Sequence, residues 1–309
     1  MAHRTPVVLP EGVSVFERGW LSSNSILIQG VNGNTLIDSG YCTHAEQTLA
    51  LVQSALQGAT LHLLLNTHLH SDHCGGNAAL QAAYPALRTL VPPGLAAHVR
   101  AWDPQALTYE PTGQSCPPFR LDDVVEPGTD LVLGNVAWQV HAAPGHDTHS
   151  VILFEPASRT LVSADALWER GFGVVFPVLD GDDAFAEVAD TLDVIEALQP
   201  ALVIPGHGGP FTDVAQALIV ARQRLAGFVS NPQKHLQYAA KVLLKFKLLE
   251  VQCIERQALL QWVQATPYFR SLLSALYASP NVPQAVETLI ADLVRSGAAT
   301  VEHNLVCNA

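Results

Sequence analysis

The sequence carries little positive charge. Its 309 residues include 16 Lys and Arg against 28 Asp and Glu, for a formal net charge of −12. Nucleic acids and anionic membranes are both bound by neutralising their negative charge, so this balance argues against a general affinity for either. We therefore expect a small-molecule substrate, and neither nucleic acid nor membrane as a partner.

The sequence also lacks the features of secreted and membrane proteins. No uninterrupted apolar run approaches the roughly 18 residues of a membrane span, and the first residues lack the apolar stretch of a signal peptide. Five cysteines show no paired spacing: Cys42, Cys74, Cys116, Cys253 and Cys307. We expect no disulfide framework from such a set and a reducing compartment. These absences predict a cytoplasmic protein.

Charge is distributed unevenly along the chain, which predicts two segments. Residues 1–225 carry 9 Lys and Arg against 23 Asp and Glu (9 − 23 = −14), whereas residues 226–309 carry 7 against 5 (7 − 5 = +2). A catalytic domain over 1–225 and a separate C-terminal segment over 226–309 would explain the change. The sequence does not fix the oligomeric state, and a homodimer is one possibility.

Strand and helix patterns alternate in the first segment, which predicts an α+β fold. Residues 25–28 and 34–38 flank a Gly-rich turn, as in a hairpin, and helical patterns cover 43–58, 77–84 and 184–198. Further strand patterns cover 61–65, 89–91, 131–133, 137–141, 151–154, 160–163 and 202–204. Residues 92–130 are rich in Pro, Asp and Gly, and we expect an irregular segment that lines a site.

The C-terminal segment has a different pattern. Helical spacing covers residues 232–249, 254–265, 268–276 and 283–294, and residues 298–306 suit a short strand. We expect a small, mostly helical appendage, for which a winged-helix-like form is one possibility.

Four residues of the types that commonly bind metals lie within six positions, shortly after a predicted buried strand. They are His68, His70, Asp72 and His73, in the run His-Leu-His-Ser-Asp-His. Neutral imidazole and carboxylate are the usual ligands for zinc and similar divalent metals. In a tight loop after a strand, these side chains can converge on one point, so the run predicts a metal site.

Three later residues share this local setting. His146 lies in Pro-Gly-His, Asp165 follows a predicted strand in Ser-Ala-Asp, and His207 lies in Pro-Gly-His-Gly just after another strand. Each is a candidate ligand at a strand end beside turn-forming residues. The seven residues together predict a metal centre larger than the first run alone would supply.

These motifs, with Leu36-Ile37-Asp38-Ser39-Gly40 upstream, occur in the order found in a known family. The sequence resembles the metallo-β-lactamase-fold hydrolase superfamily over roughly residues 12–225, and within it the glyoxalase II-like branch. The resemblance implies an αββα sandwich with metals at one edge of the packed sheets. It also implies one metal held by His68, His70 and His146, and a second held by Asp72, His73 and His207. Asp165 would bridge the two metals, and Asp38 would orient the histidine loop.

The resemblance further implies the chemistry. A hydroxide bridging two divalent metals, zinc with iron or manganese as alternatives, would attack a small ester, thioester or lactone. Asp72, besides binding metal, would act as a catalytic residue that shuttles a proton. Asp165 stands where many lactam-hydrolysing relatives hold a Cys, and His70 stands where the flavin-linked diiron branch has an acid, so both branches are disfavoured.

Two alternatives stay open at this point. One is a metal-dependent phosphodiesterase or ribonuclease that uses the C-terminal segment to bind RNA, although the acidic balance of residues 1–225 counts against it. The other is a mononuclear-iron sulfur dioxygenase. Trp168, Phe172 and Phe176 follow Asp165 closely in sequence, and they suit a pocket wall as well as they suit the core.

Overall fold

The first sheet places the histidine run at the end of its fourth strand. The computed structural model describes residues 7–180, 182–277 and 281–309. Its first sheet has six strands whose spatial order follows the sequence: β1 (Val13–Phe16), β2 (Ser25–Ile28), β3 (Thr35–Ile37), β4 (Leu63–Leu65), β5 (Arg88–Val91) and β6 (Asp123–Val124). Strands β1 to β3 pair antiparallel, which confirms the predicted hairpin, and β3 to β6 pair parallel.

The second sheet has the spatial order β11-β10-β9-β8-β7. Its pairs are antiparallel except for β10 and β11, which run parallel. The strands are β7 (Asp130–Leu133), β8 (Val136–Ala142), β9 (Val151–Glu155), β10 (Thr160–Ala164) and β11 (Leu202–Pro205). The helices that connect and cover the two sheets are α1 (Ala45–Leu56), α2 (Ser71–Cys74), α3 (Asn77–Ala83), α4 (Ala96–Ala101), α5 (Tyr109–Thr112), α6 (Phe176–Asp180), α7 (Ala184–Leu198) and α8 (Val214–Ser230).

Side chains that point alternately to the two faces of each sheet hold the layers of the sandwich together. In β2, Ile26 and Ile28 belong to a core shared with residues of the second sheet, whereas Leu27 between them packs against α1 and α3. Successive side chains of a strand point to opposite faces, so one buried strand serves two cores. The outer face of the second sheet packs likewise against α7 and α8. The predicted αββα arrangement is therefore confirmed.

The C-terminal segment packs its helices around a core of its own, which also includes Val174 of the first segment. Its elements are α9 (Pro232–Val251), β12 (Cys253–Glu255), α10 (Arg256–Ala265), α11 (Pro267–Leu276), α12 (Val282–Arg295), β13 (Ala299–Glu302) and β14 (Leu305–Asn308). The strands form an antiparallel sheet in the order β12-β14-β13. This sheet suits the winged-helix interpretation, which stays a prediction. Helix α8 crosses residue 225, and the division into two domains is likewise a prediction.

Two local expectations were wrong. Residues 92–130 are not a single irregular segment, because α4, α5 and β6 lie within them. The short elements end at left-handed residues, Trp102 and Gly113, which interrupt any periodic pattern. The expectation of no disulfide was also wrong, since Cys253 and Cys307 are bonded across paired strands β12 and β14.

The disulfide joins residues 54 positions apart, and only the strand pairing brings them together. It removes the cysteine argument for a reducing compartment, so a cytoplasmic location stays a prediction without that support. Among the described residues, none of the helices combines the length and apolar character needed to cross a bilayer.

Candidate metal centre

Strand ends bring the candidate ligands to one edge of the sandwich. β4 leads directly into the loop that carries His68 and His70, and the short helix α2 that follows carries Asp72 and His73. In the second sheet, three strands precede the remaining candidates: β8 precedes His146, β10 precedes Asp165 and β11 precedes His207. The structure thus brings together all seven residues that the sequence singled out, in two groups of side chains.

The first group contains the three imidazoles of His68, His70 and His146. His70 Nδ1 lies 2.9 Å from His146 Nε2, and the His68 ring stands edge-on to both other rings. His68 and His146 are buried, and His70 is partly exposed to the adjoining cavity. Three imidazole nitrogens at this separation can bind a single cation from one side.

The second group contains Asp72, His73, Asp165 and His207. Asp72 Oδ2 lies 3.1 Å from His207 Nε2 and 3.7 Å from His73 Nε2. Two carboxylates and two imidazoles therefore face a common point. This mixture of oxygen and nitrogen ligands suits zinc, iron or manganese equally well.

Asp165 lies between the two groups. Its Oδ2 is 3.4 Å from His146 Nε2 of the first group and 3.7 Å from His207 Nε2 of the second, while its Oδ1 is 3.6 Å from His73 Nε2. A single carboxylate thus reaches both sets of imidazoles, which is the geometry that a bridging ligand needs.

The backbone around the centre is constrained. Asp38 and Ala164 both have left-handed conformations, with φ of 58° and 46°, although neither is glycine. Such conformations cost of order 1 kcal/mol or more for an L-residue and persist where the surroundings enforce them. At Gly206 the constraint is steric, because a Cβ there would collide with Asp165 Oδ1. The turn before His207 therefore requires glycine.

Asp38 holds the histidine loop from behind. Its Oδ2 accepts hydrogen bonds from His73 Nδ1 at 2.7 Å and from Thr67 Oγ1 at 2.8 Å, and its Oδ1 accepts from the Thr67 backbone N–H at 2.9 Å. A carboxylate that accepts from Nδ1 fixes the tautomer in which Nε2 is free to bind a metal. This contact matches the orienting role that the resemblance implies for Asp38.

A second support comes from residues 172–176, which we call the clamp segment. Val174 O accepts a hydrogen bond from His146 Nδ1 at 2.5 Å, and the ring of Phe176 packs 4.8 Å from that of His70. On its far side the segment is held by His235 of α9, whose Nε2 accepts the Val175 N–H at 3.1 Å. The C-terminal segment thus touches the first ligand group through the clamp segment.

Burial keeps the first group neutral. Removal from water is the largest cause that lowers the pKa of His70 and His146 to about 4, and it holds the pKa of His68 well below the ordinary value. Neutral imidazoles are the form that binds a metal, so these side chains need to lose no proton at neutral pH.

The second group carries excess negative charge. Burial acts to lower the pKa of His73, but Asp38, Asp72 and Asp165 outweigh it and raise that pKa well above its usual value. Burial acts to raise the pKa of Asp165, yet His207 and His73 hold it well below the usual range. A proton on His73 therefore stabilises ionised carboxylates in a position where a bound cation would supply the same charge.

The donor set fits metal ions. His68 Nε2 and His73 Nε2 are buried and have no hydrogen-bond partner among the described residues. A buried nitrogen left without a partner costs about 1–3 kcal/mol, and a metal bond removes that cost. Because these atoms belong to different ligand groups, the geometry suits a cation in each.

Several residues that line the adjoining cavity were not singled out from the sequence. Trp20 stacks on His207 with ring centroids 5.3 Å apart, and Tyr238 and Phe246 of α9 form another wall. Trp168 and Phe176 line the cavity, one of the two roles considered for them, whereas Phe172 is buried in the core. In the sequence, Trp20 is marked only as an aromatic residue shortly before a predicted strand, and no local motif marks α9 as part of a site.

Comparison with known families agrees with this geometry. The model of the metallo-beta-lactamase superfamily matches residues 18–207, more than half of the chain. Two solved structures cover almost all of it: a beta-lactamase domain protein from Burkholderia ambifaria (TM-score 0.59, 19% identity, 100% of this chain and 98% of that chain) and a metallo-beta-lactamase family protein from Thermus thermophilus (TM-score 0.58, 18% identity, 97% and 99%). At these identities the likeness shows the fold alone.

Curated relatives carry a more specific name. The hydroxyacylglutathione hydrolase of Rhodobacter capsulatus is 34% identical over 148 residues, which cover 48% of each chain. That of Anaeromyxobacter dehalogenans (strain 2CP-C) is 31% identical over 199 residues, which cover 62% of this chain and 66% of the relative. The chain spans about half the length of most of the curated relatives it matches.

Proposed function

The chain belongs to the metallo-beta-lactamase superfamily, and from that premise we propose that it is a dinuclear metal-dependent hydrolase of a small ester, thioester or lactone. The position of Asp165 carries this proposal. One carboxylate lies within 3.4–3.7 Å of imidazoles from both ligand groups, as a pair of cations with a shared ligand would require.

The proposed ligands divide as the two groups do. His68, His70 and His146 would hold one cation, whereas Asp72, His73 and His207 would hold the other, with Asp165 shared between them. Divalent cations held by these residues would supply a water of lowered pKa and would polarise the acyl oxygen of the substrate.

The chain's own residues supply positioning and proton handling. Asp38 and the clamp segment fix His73 and His146 in the tautomers that leave Nε2 free. Asp72 lines the cavity, and His73 and His207 lower its pKa against the effect of burial, so the carboxylate is ionised at neutral pH. We assign to Asp72 the transfer of a proton between the attacking water and the leaving group. Trp20, Trp168 and Phe176 exclude bulk water from this exchange.

The names of the curated relatives support a thioester among the possible substrates. Hydroxyacylglutathione hydrolase, the name they share, describes cleavage of a small acyl group from a thiol. Acyl-thiol hydrolysis also agrees with the small cavity of about 80 Å³ beside the ligands, which admits only a short group.

Metal quantification with a matched pair of variants tests the proposal. The wild-type protein should contain close to two metal ions per chain. Asp165→Asn keeps the volume and the hydrogen bond to Trp168 but removes the shared charge, so metal content should fall below two and turnover should fall at least about 100-fold. Asp190→Asn, at an exposed position of α7, serves as the control and should change neither. A single tightly bound metal with full activity would contradict the dinuclear assignment.

The choice of substrate separates this function from the alternatives. Ester, lactone, thioester, lactam and phosphodiester substrates should be assayed in parallel on the metal-loaded protein. Phosphodiester turnover alone would favour a nuclease. Oxygen uptake with a glutathione persulfide would favour a mononuclear-iron dioxygenase, for which the second ligand group has no evident use.

A further inference from the structure

A large groove adjoins the metal centre on the side of the C-terminal segment. Its volume is about 590 Å³, and it lies between the loops after β10 and β11 and the helices α9 and α12. The cavity at the ligands is far smaller, at about 80 Å³. The two adjoin, because Trp20, Trp168 and His207 line both. Of the cavities that adjoin the ligands among the described residues, the groove has the volume to hold the greater part of a large substrate.

The side chains that line the groove carry a positive net charge, opposite in sign to that of the whole protein. Four cationic side chains line the groove, Arg170, Arg224, Lys241 and Lys245, against one carboxylate, that of Glu169. The ammonium group of Lys245 is engaged by Ala298 O and Asn308 Oδ1, so the other three cations exceed the one carboxylate by two charges, in a chain whose net charge is −12. Cations concentrated beside a metal centre attract a ligand with several negative charges.

The fold places these cations in a defined arrangement. Lys241 and Lys245 are four positions apart on α9 and so share one face of the helix. The Arg224 guanidinium lies 5.0 Å from the centre of the Tyr238 ring and donates to Phe172 O at 2.9 Å, so its position is fixed. Arg170 lies in the loop after β10 that also carries Asp165.

The remaining wall is apolar. The apolar residues that line the groove are Trp20, Trp168, Val242, Phe246, Leu249 and Leu293. Trp20 is 56% exposed and stands edge-on to Trp168 at 5.2 Å. A large aromatic residue exposed at the entrance to a metal centre suits contact with an apolar arm of a ligand.

We propose that this groove binds the leaving group of the substrate, and that the leaving group is a phosphate-bearing thiol carrier of the coenzyme A class. The proposal rests on the hydrolase function proposed above. A tripeptide thiol such as glutathione brings two carboxylates and one ammonium group, whereas a carrier of this class brings several phosphate charges and no ammonium. Arg170, Arg224 and Lys241 beside an apolar wall match the second kind of ligand, with its long neutral arm and anionic end.

The reaction is the hydrolysis of a short-chain acyl thioester. The oxygen of water forms a bond to the acyl carbon, and the carbon–sulfur bond breaks. The thiol of the carrier leaves with one proton, and the acid is released as its carboxylate with the other proton passing to solvent. The small cavity accommodates the acyl group while the groove retains the carrier.

Kinetics with three acetyl donors test the groove. Acetyl-coenzyme A, S-acetylglutathione and p-nitrophenyl acetate carry the same acyl group on carriers of different charge. In the double variant Arg170→Gln/Lys241→Gln, KM for acetyl-coenzyme A should rise about tenfold or more, since charged hydrogen bonds are lost. The rise should exceed any change for the other two donors. Lys234→Gln, on α9 but outside the groove, is the matched control.

Calorimetric binding of free coenzyme A tests the ligand preference of the groove independently of catalysis. The wild-type holoenzyme should bind coenzyme A more tightly than glutathione, and the double variant should lose about tenfold or more in affinity. If no donor is hydrolysed but this binding pattern holds, the proposed hydrolase function fails and the groove assignment stands. Equal KM shifts for all donors, preference for S-acetylglutathione, or displacement of coenzyme A by single-stranded RNA at equal charge concentration would overturn the carrier assignment.

Discussion

Replacing Asp38 with Asn tests how the centre is held from behind. The substitution preserves volume at a side chain that is only 3% exposed, but it exchanges one acceptor oxygen for an NH2 donor. Asp38 accepts three hydrogen bonds, two from Thr67 and one from His73 Nδ1. An amide cannot accept all three hydrogen bonds in the same positions, so the contact with either Thr67 or His73 must change.

Either orientation of the amide has a cost. If its NH2 group faces His73, it donates to Nδ1 and moves the ring proton to Nε2, the atom that must bind the metal. If the NH2 group faces Thr67, it opposes a buried backbone N–H, which costs about 1–3 kcal/mol of stability. Changes behind a ligand typically reduce metal affinity 10- to 100-fold, or about 1.4–2.7 kcal/mol, and we expect a loss in that range for the second ligand group.

Competition with a chromophoric chelator measures the two metal affinities separately, and thermal unfolding of the metal-free protein measures stability. Asp38→Asn should weaken one metal selectively, lower the unfolding temperature of the apoprotein, or do both. The exposed Asp190→Asn is the control and should change neither. Wild-type affinity for both metals together with wild-type stability would refute the orienting role of Asp38.

Two further predictions concern the C-terminal segment. Burial lowers the pKa of His235 to about 4. As the pH falls from about 6.5 to 4, His235 is therefore protonated in the unfolded chain but not in the folded chain. The free energy of unfolding should fall by up to about 3 kcal/mol over this range. His235→Gln should flatten this part of a chemical-denaturation series between pH 7 and 4, and an unchanged slope would contradict it. Reduction of the Cys253–Cys307 disulfide should lower the stability of the C-terminal segment by about 4 kcal/mol, the loop-entropy value for a separation of 54 residues. Trp262 fluorescence during unfolding, with and without dithiothreitol, measures this difference. The control variant Cys74→Ser should leave the difference intact.

The sequence singled out the seven residues that the structure brings together because each candidate is marked by its immediate neighbours. A short apolar strand followed by Gly, Pro or a His-rich turn places a side chain at a sheet edge, and these signals lie within a few residues of His68, His146 and His207. The αββα layers, by contrast, were implied by the family resemblance that these motifs carry, whereas periodicity predicted only the individual strands and helices. Local patterns decide local structure, and in this fold the strand ends converge on one edge.

Residues 92–130 were misjudged for a local reason, the left-handed residues that end their short helices. The features missed elsewhere share another cause, since each depends on residues distant in sequence. Cys253 and Cys307 meet only because β12 and β14 pair, and no spacing rule reveals that pairing. Trp20 reaches His207 across nearly the whole first segment. The apolar side of α9 mostly packs in the core of the C-terminal segment, yet Phe246 on the same helix lines the metal cavity. Periodicity identifies an apolar face of a helix but does not show what lies opposite it.

The same contacts explain why family membership leaves the substrate open. The matched region ends at residue 207, whereas Tyr238, Lys241 and Phe246 lie beyond it and form the groove and one wall of the cavity. His235 also lies beyond it and holds the clamp segment against His146. On the proposed function, the candidate metal ligands lie in the matched region, whereas α9 would determine the choice of leaving group. Substitutions on the groove-facing side of α9 should redirect specificity among acyl carriers while metal content stays constant.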